Sequence, residues 1–315
     1  MSPEIEEKLT AVRRARRNLE GLLSSCRLCP RECGVDRTAG ERGKCNLPAG
    51  PVVSGYEPHF GEEACLVGQG GSGAVFFTSC NLFCVFCQTW EISREGRGRE
   101  ITGEELAKIF LELKALGCEN LNLITPTPQI PAILEALERA LGEGFDLPVI
   151  YNTGGYEKVE VLKALSGVVD IYLPDFKVWD SEVAERLLGA RDYPEVARKA
   201  IKEMYRQVGL LRLDERGLAR KGLLVRHLVL PEELSGTAEV MRFLVQEISP
   251  EVTVNLMGHY HPAGEAHRYP PLDRGILKIE WQKAIEKAQK AGIFNFDRTH
   301  WALLPLILLD NSKRR

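Results

Sequence analysis

Apolar positions along this chain keep two rhythms, and the two take turns. Ala74-Val75-Phe76-Phe77-Thr78 is a continuous apolar run, as in a strand covered on both faces. Similar runs fall near residues 119–124, 147–152, 169–174, 223–230 and 251–257. Between them the repeat lengthens to that of an amphipathic helix. This predicts helices near 103–116, 129–141, 156–165, 181–208 with a break at Pro194, 235–248 and 273–291. Thr102 with Glu105 makes a capping box and Ser235 an N-cap. An earlier polar helix is predicted over about 3–23. Six strands, each followed by a helix, imply a parallel sheet with helices packed outside it, an α/β fold. Six units are too few for a complete eight-stranded barrel and suit a partial (β/α)6 barrel. In that architecture chemistry gathers at the C-terminal ends of the strands.

Composition narrows the class. The chain has 315 residues, 44% of them hydrophobic, and a formal net charge of −3, so neither disorder nor nonspecific nucleic-acid binding is expected. Its N-terminus is acidic and polar, unlike a signal peptide. The apolar stretch Trp301 to Leu309 is short for a bilayer and contains Pro305, so no membrane partner is expected. Nine cysteines without a secretion signal point to thiolate chemistry in a reducing compartment, and the cytoplasm is the expected address.

Seven of those cysteines form two tight groups. Cys26-x2-Cys29-x3-Cys33-x11-Cys45 lies in a stretch rich in Gly, Pro and Arg with no helical or strand period, so metal ligation would have to organise it. Four thiolates close a site, and structural zinc and an auxiliary iron–sulfur cluster are both open readings. The neighbouring Arg27, Arg31, Arg37, Arg42 and Lys44 are expected to form a solvated basic face. Cys80-x3-Cys84-x2-Cys87 follows the first strand directly. Three thiolates leave one iron of a four-iron cluster without a protein ligand, and an open position is what a catalytic metal needs. Cys65 and Cys118 stand alone and are read as small buried hydrophobes.

A Cys-x3-Cys-x2-Cys loop after the first strand of a βα-repeat chain, with Phe86 before the third cysteine, resembles the radical S-adenosylmethionine (radical SAM) superfamily. The resemblance spans roughly residues 72–295 and is closest to the pyruvate formate-lyase activating enzyme-like branch, in an uncharacterised subgroup of it. It implies a partial (β/α)6 barrel of radical SAM type over 68–295, with an N-terminal Cys-rich extension over 1–67 and a tail over 296–315. It also implies a [4Fe–4S] cluster on Cys80, Cys84 and Cys87 whose open iron is chelated by S-adenosyl-L-methionine (SAM). Reductive cleavage of SAM then releases a 5′-deoxyadenosyl radical, which abstracts hydrogen from a substrate.

The same resemblance places residues at the SAM site. Tyr151-Asn152-Thr153-Gly154-Gly155-Tyr156 stands where the branch has an Asp/Thr-Asn-Gly-type turn, which implies that Asn152 and Thr153 line the SAM pocket. Asn152 occupies a place where activating enzymes often have Asp beside a monovalent cation. Leu173-Pro174-Asp175-Phe176-Lys177 looks like the branch's Asp-x-Lys motif, and Arg226-His227-Leu228-Val229-Leu230-Pro231 like its Arg-bearing fifth strand. Asp175, Lys177 and Arg226 are thereby implied to reach SAM. Charge-assisted pairing of the two cations with a bound carboxylate makes electrostatic sense. One departure stands out. Where the superfamily often carries Gly-Gly-Glu, this chain reads Thr125-Pro126-Thr127-Pro128-Gln129, and Thr and Gln are expected to accept from the SAM ammonium instead.

As partners, the resemblance implies a reductant such as flavodoxin or ferredoxin, and a protein substrate if a glycyl-radical enzyme is activated. Another peptide or a small molecule is the other substrate reading. No individual catalytic residue is assigned. A rival from another class is a non-catalytic iron–sulfur or zinc protein in electron transfer or a structural role. His259 and His261, after the sixth strand, are candidates for contact at the sheet's mouth. Gly68 to Gly73 is read as a flexible entry loop rather than a phosphate cradle, and Tyr56 and His59 as ordinary packing.

Overall fold

A computed structural model describes residues 2–299, Trp301 and Leu304. Its strands are β1 (Val52–His59), β2 (Ser72–Phe77), β3 (Arg99–Glu100), β4 (Leu121–Ile124), β5 (Val149–Thr153), β6 (Ile171–Pro174), β7 (Arg212–Leu213), β8 (Ala219–Leu228), β9 (Thr253–Met257) and β10 (Phe296–Asp297). The helices are α1 (Pro3–Leu19), α2 (Ala64–Val67), α3 (Trp90–Ser93), α4 (Gly103–Ala115), α5 (Ile130–Gly142), α6 (Val159–Ala164), α7 (Ser181–Leu188), α8 (Tyr193–Val208), α9 (Thr237–Phe243) and α10 (Lys278–Ala291).

All six expected strands are present and pair in parallel, in the order β9-β8-β6-β5-β4-β2. The result is an α/β fold with a mostly parallel central sheet, a partial barrel. Both ends of the sheet are longer than expected. β1 adds antiparallel to β2, β3 adds antiparallel to β1, and β10 extends the parallel run beyond β9. Neither residue 67/68 nor 295/296 is therefore a break in the sheet. β1 belongs to the expected extension and β10 to the expected tail, of which the remainder after Leu304 lies outside the described residues.

Helix ends follow local chemistry. The capping box of α4 is realised, with Thr102 Oγ1 accepting from the Glu105 amide at 3.1 Å and Glu105 Oε2 from the Thr102 amide at 2.7 Å. The expected break at Pro194 falls earlier. α7 ends at Gly189, whose left-handed φ of 62° lets the chain turn, and Pro194 sits in the first turn of α8, where no amide partner is lost. Ser235 does not cap α9. Gly236, also left-handed, takes that position, and Ser235 is buried instead. Glycine likewise ends α2 at Gly68, and Ser72 and Gly73 of the glycine-rich run already belong to β2.

The large core lies between the sheet and its helices, with Phe110, Phe145, Tyr172 and Phe176 fully buried. A second, smaller core fills the other face. There Leu66 of α2 packs among Ile150, Ile171, Leu173, Ala219 and Leu224. The segment before β2 thus closes one end of the sheet and carries its preceding residues toward the strand ends. Among the described residues no helix is long and apolar enough to cross a membrane.

Candidate active site

The loop from Cys80 to Cys87 leaves the C-terminal end of β2 and is fastened to α7. Phe83 and Val85 donate their amides to the carbonyls of Leu188 and Leu187, at 3.0 and 2.9 Å. Hydrogen-bond donors already face two of the sulfurs. The Leu82 amide lies 3.3 Å from Cys80 Sγ, and the Ser93 hydroxyl of α3 lies 3.1 Å from Cys87 Sγ. Burial pushes the thiols of Cys80 and Cys84 up to about 11 and about 12. Deprotonation there needs the pull of a bound metal centre.

Those three thiols open onto a cavity of about 380 Å³ at the strand ends. Asn152 and Thr153 of β5, Asp175 and Lys177 after β6, and Arg226 of β8 line the same cavity. The structure thus brings Cys80, Cys84, Cys87, Asn152, Thr153, Asp175, Lys177 and Arg226 into one place. Gly155 is part of the reason. It turns with φ 79°, and a Cβ there would meet the Asp175 carbonyl at 2.5 Å, so the two loops could not approach as they do.

Neither cation stands alone. Lys177 Nζ is 2.6 Å from Asp175 Oδ2. Burial works against its charge, but the Asp175 carboxylate outweighs this and holds the ammonium well above its ordinary range. Arg226 donates through Nε and Nη2 to the carboxylate of Glu63, at 2.7 and 2.6 Å, and through Nη2 to Glu62. Asn255 Nδ2 completes Glu63 at 2.7 Å, and Asn122 Nδ2 reaches Glu62 at 3.1 Å. Burial raises the Glu63 carboxyl, yet the Arg226 guanidinium more than offsets this and holds it below the usual range. Sequence reasoning missed Glu62 and Glu63. Their only signal is a charged pair set directly before the apolar Ala64-Cys65-Leu66-Val67, and their partner lies about 160 residues away.

The segment standing in for Gly-Gly-Glu is committed elsewhere, which corrects one expectation. Gln129 Oε1 accepts from the Val52 amide at 2.6 Å, and its Nε2 donates to the carbonyls of Val52 and Thr78 at 3.1 and 2.9 Å. Thr127 Oγ1 donates to Glu157 Oε1 at 2.6 Å. Neither side chain faces an incoming ammonium. Thr125, held at φ 45°, is the member of this segment that lines the cavity.

The four N-terminal thiols line one small pocket, together with Asn81 and Pro128. Among the described residues no three His, Cys, Asp or Glu side chains gather tightly enough to hold one metal ion. That applies equally to the Cys80 loop, where cluster ligation places each thiolate on a separate iron. The donor set and cavity at Cys80, Cys84 and Cys87 fit such a cluster. The basic residues nearby do not form a solvated face throughout. Arg31 donates to the carbonyls of Asn81 and Gly189, at 2.9 and 2.5 Å, and its guanidinium stacks on Phe83 and Tyr156. Arg37 is buried and donates to the Pro128 carbonyl at 2.7 Å. These arginines tie the four-thiol loop to the Cys80–Cys87 loop and to the segment after β4.

Other expectations divide. Cys118 is buried as a small hydrophobe, whereas Cys65 is half-buried beside Leu66, where burial, helped by the nearby Asp297 and Glu63 carboxylates, pushes its thiol up to about 12. His259 lines the cavity and His261 is exposed. His59 also lines the cavity, edge-on to Phe76, while Tyr56 donates to Glu112 at 2.9 Å.

A parallel α/β sheet with three thiols on the loop after its first parallel strand defines a class, and comparison with known proteins agrees. The Radical SAM superfamily profile matches residues 74–213. The chain belongs to the radical SAM superfamily. It is 32% identical over 287 residues to an uncharacterized protein, MJ0674, of Methanocaldococcus jannaschii, covering 88% of this chain and 77% of that protein. The solved structure of TYW1 with a lysine-pyruvate adduct bound aligns with a TM-score of 0.43 at 12% identity, over 68% of this chain and 70% of that one.

Proposed function

We propose that this protein binds SAM in the cavity of about 380 Å³ beside a [4Fe–4S] cluster on Cys80, Cys84 and Cys87, and removes a hydrogen atom from a substrate. When bound, the reduced cluster supplies the electron that cleaves SAM, and the adenosyl fragment supplies the radical. The chain's own residues do the rest. Asn152 and Thr153 offer hydrogen-bonding groups at the end of β5, and Lys177, steadied by Asp175, offers its ammonium to a bound carboxylate. Arg226 is locked by Glu62 and Glu63, so its place at the cavity wall is fixed and its charge is already matched by these carboxylates. Leu82, Phe86, Ile124, Leu228 and Met257 make much of the wall apolar and limit water around a reactive intermediate.

The observation that carries this reading is the convergence of three thiols from one loop with the ends of β5, β6 and β8 on one cavity. We extend it to the activating-enzyme-like reading, in which a glycyl-radical enzyme is the substrate and flavodoxin or ferredoxin the electron donor. What supports that extension is the match of Asp175, Lys177 and Arg226 to that branch's motifs. The test is deuterium transfer into 5′-deoxyadenosine from labelled candidate proteins, peptides and metabolites.

We further propose a second metal centre on Cys26, Cys29, Cys33 and Cys45. Four thiols around one pocket are a donor set that suits either structural zinc or an iron–sulfur cluster. Iron, sulfide and zinc content of the Cys80/Cys84/Cys87 triple Ala variant, purified without oxygen, decides between them.

A further inference from the structure

Glu157 follows the Tyr151–Tyr156 segment immediately and points away from the cavity into the protein. Its residue is 2% exposed, and among the described residues no cation lies within hydrogen-bonding reach. Three hydroxyls converge on its carboxylate instead. Thr127 donates to Oε1 at 2.6 Å, Thr153 donates to the same oxygen, and Tyr151 donates to Oε2 at 3.1 Å. Thr153 and Tyr151 belong to β5, whereas Thr127 belongs to the segment after β4. One carboxylate therefore spans two adjacent strand ends that wall the cavity. On the cavity side of this junction stand Thr153 and Thr125. Thr153 Oγ1 also accepts from the Gly155 amide at 3.2 Å, which fixes the turn that brings Gly154 and Asp175 together.

We propose that Glu157 is a positioning residue for the SAM cavity, acting through Thr153 on one loop and Thr127 on the other. This inference rests on the functional reading above. The superfamily's usual acidic residue is missing from 125–129, and here a buried carboxylate from the neighbouring loop anchors that segment from behind.

The chemistry of the junction gives it a signature. An ionised carboxylate accepts from all three hydroxyls at full strength, while a protonated one is a weaker acceptor and carries a hydrogen of its own that needs an acceptor among the same three hydroxyls. Burial raises the Glu157 carboxyl to about 7, against the pull of its three hydroxyl donors. The groups facing it are Thr127, Tyr151 and Thr153, with Tyr172 and the thiols of Cys29 and Cys80 farther off. SAM affinity should rise as pH rises through 7, because the junction is fully made only when ionised. Stability should move the other way. A carboxyl raised in the folded state adds stability below its unfolded value, and that stability is lost as pH climbs through about 7.

The test compares wild type, E157Q and T127V, all reconstituted without oxygen. SAM binding is measured by calorimetry and melting temperature by scanning, both from about pH 5.5 to pH 8.5. Expected results are SAM binding about tenfold weaker in E157Q at pH 8, with a flattened pH profile for binding and melting, and an intermediate loss in T127V. Iron content should match wild type. An E157Q that binds SAM as tightly as wild type, with the same pH profile, overturns this inference alone. Wild type that binds no SAM at any pH overturns the functional reading, and this inference with it.

Discussion

Arg31 of the four-thiol loop donates its Nε hydrogen to the main-chain carbonyl of Asn81, 2.9 Å away, one residue from Cys80. A segment without helix or strand period thus grips the loop that presents Cys80, Cys84 and Cys87. Arg37 does the same for Pro128, and Lys158 reaches back to Glu32. Through these side chains the four-thiol loop braces the cavity.

Arg31→Ala should therefore be felt at the other site. It removes two carbonyl contacts and the stacking on Phe83 and Tyr156, at a cost of about 1–3 kcal/mol. Iron retained by the Cys80 loop after anaerobic reconstitution should fall below wild type. Arg31→Lys should rescue little, because an ammonium cannot make the planar stack and the forked bonds together. Wild-type iron retention in both variants would refute the brace.

The Arg226–Glu63 pair gives a second expectation. Glu63→Ala removes the two-bonded partner of Arg226 and the acceptor of Asn255, but leaves Glu62 to compensate the guanidinium, so it should cost about 1–3 kcal/mol. The pH dependence has a definite sign. Glu63 lies below its unfolded value, so its contribution is present above the usual carboxylate range and is lost as the solution is acidified through the lower folded value. Urea unfolding of Glu63→Gln should lose less stability than wild type as the solution is acidified from about pH 5 to about pH 3. An unchanged acid dependence would mean that the pair is not formed in solution.

Gln129 supplies a third. Its side chain satisfies the main chain of Val52 twice and of Thr78 once, joining β1 and the end of β2 to the segment after β4. Gln129→Ala leaves the Val52 amide and the Thr78 carbonyl without this partner, while the Val52 carbonyl keeps the Thr78 amide at 3.0 Å, and should cost about 1–3 kcal/mol. Gln129→Glu should be no milder, since a carboxylate cannot donate to two carbonyls. If Gln129→Ala melts like wild type and instead weakens SAM binding selectively, the side chain belongs to the ligand after all.

Much of the fold was legible because its elements are local. Buried-strand runs and helical periods locate six parallel strands, and Thr102 with Glu105 starts α4 as expected. Short or edge elements were not. β1 mixes Ser54, Gly55 and Pro58 into its apolar residues, and β10 is two residues long. The site divides along the same line. Cys80, Cys84 and Cys87 are spaced within one loop, and Asp175 and Lys177 within one turn, so sequence spacing exposes them. Glu62, Glu63 and Glu157 act through partners on other strands, and nothing local distinguishes them from surface glutamates. Gln129 misled for the opposite reason. It stands where a ligand contact is expected, but the strand beside it claims its amide first.

The central claim is that the three thiols hold a cluster on which SAM is cleaved. Wild-type protein and Cys84→Ala should be reconstituted with iron and sulfide without oxygen, reduced, given SAM, and assayed for 5′-deoxyadenosine. Formation of that nucleoside by wild type, with none above background from Cys84→Ala, is the expected result. Equal yields from both proteins, or a reconstituted wild type that binds iron and leaves SAM intact, would contradict the account.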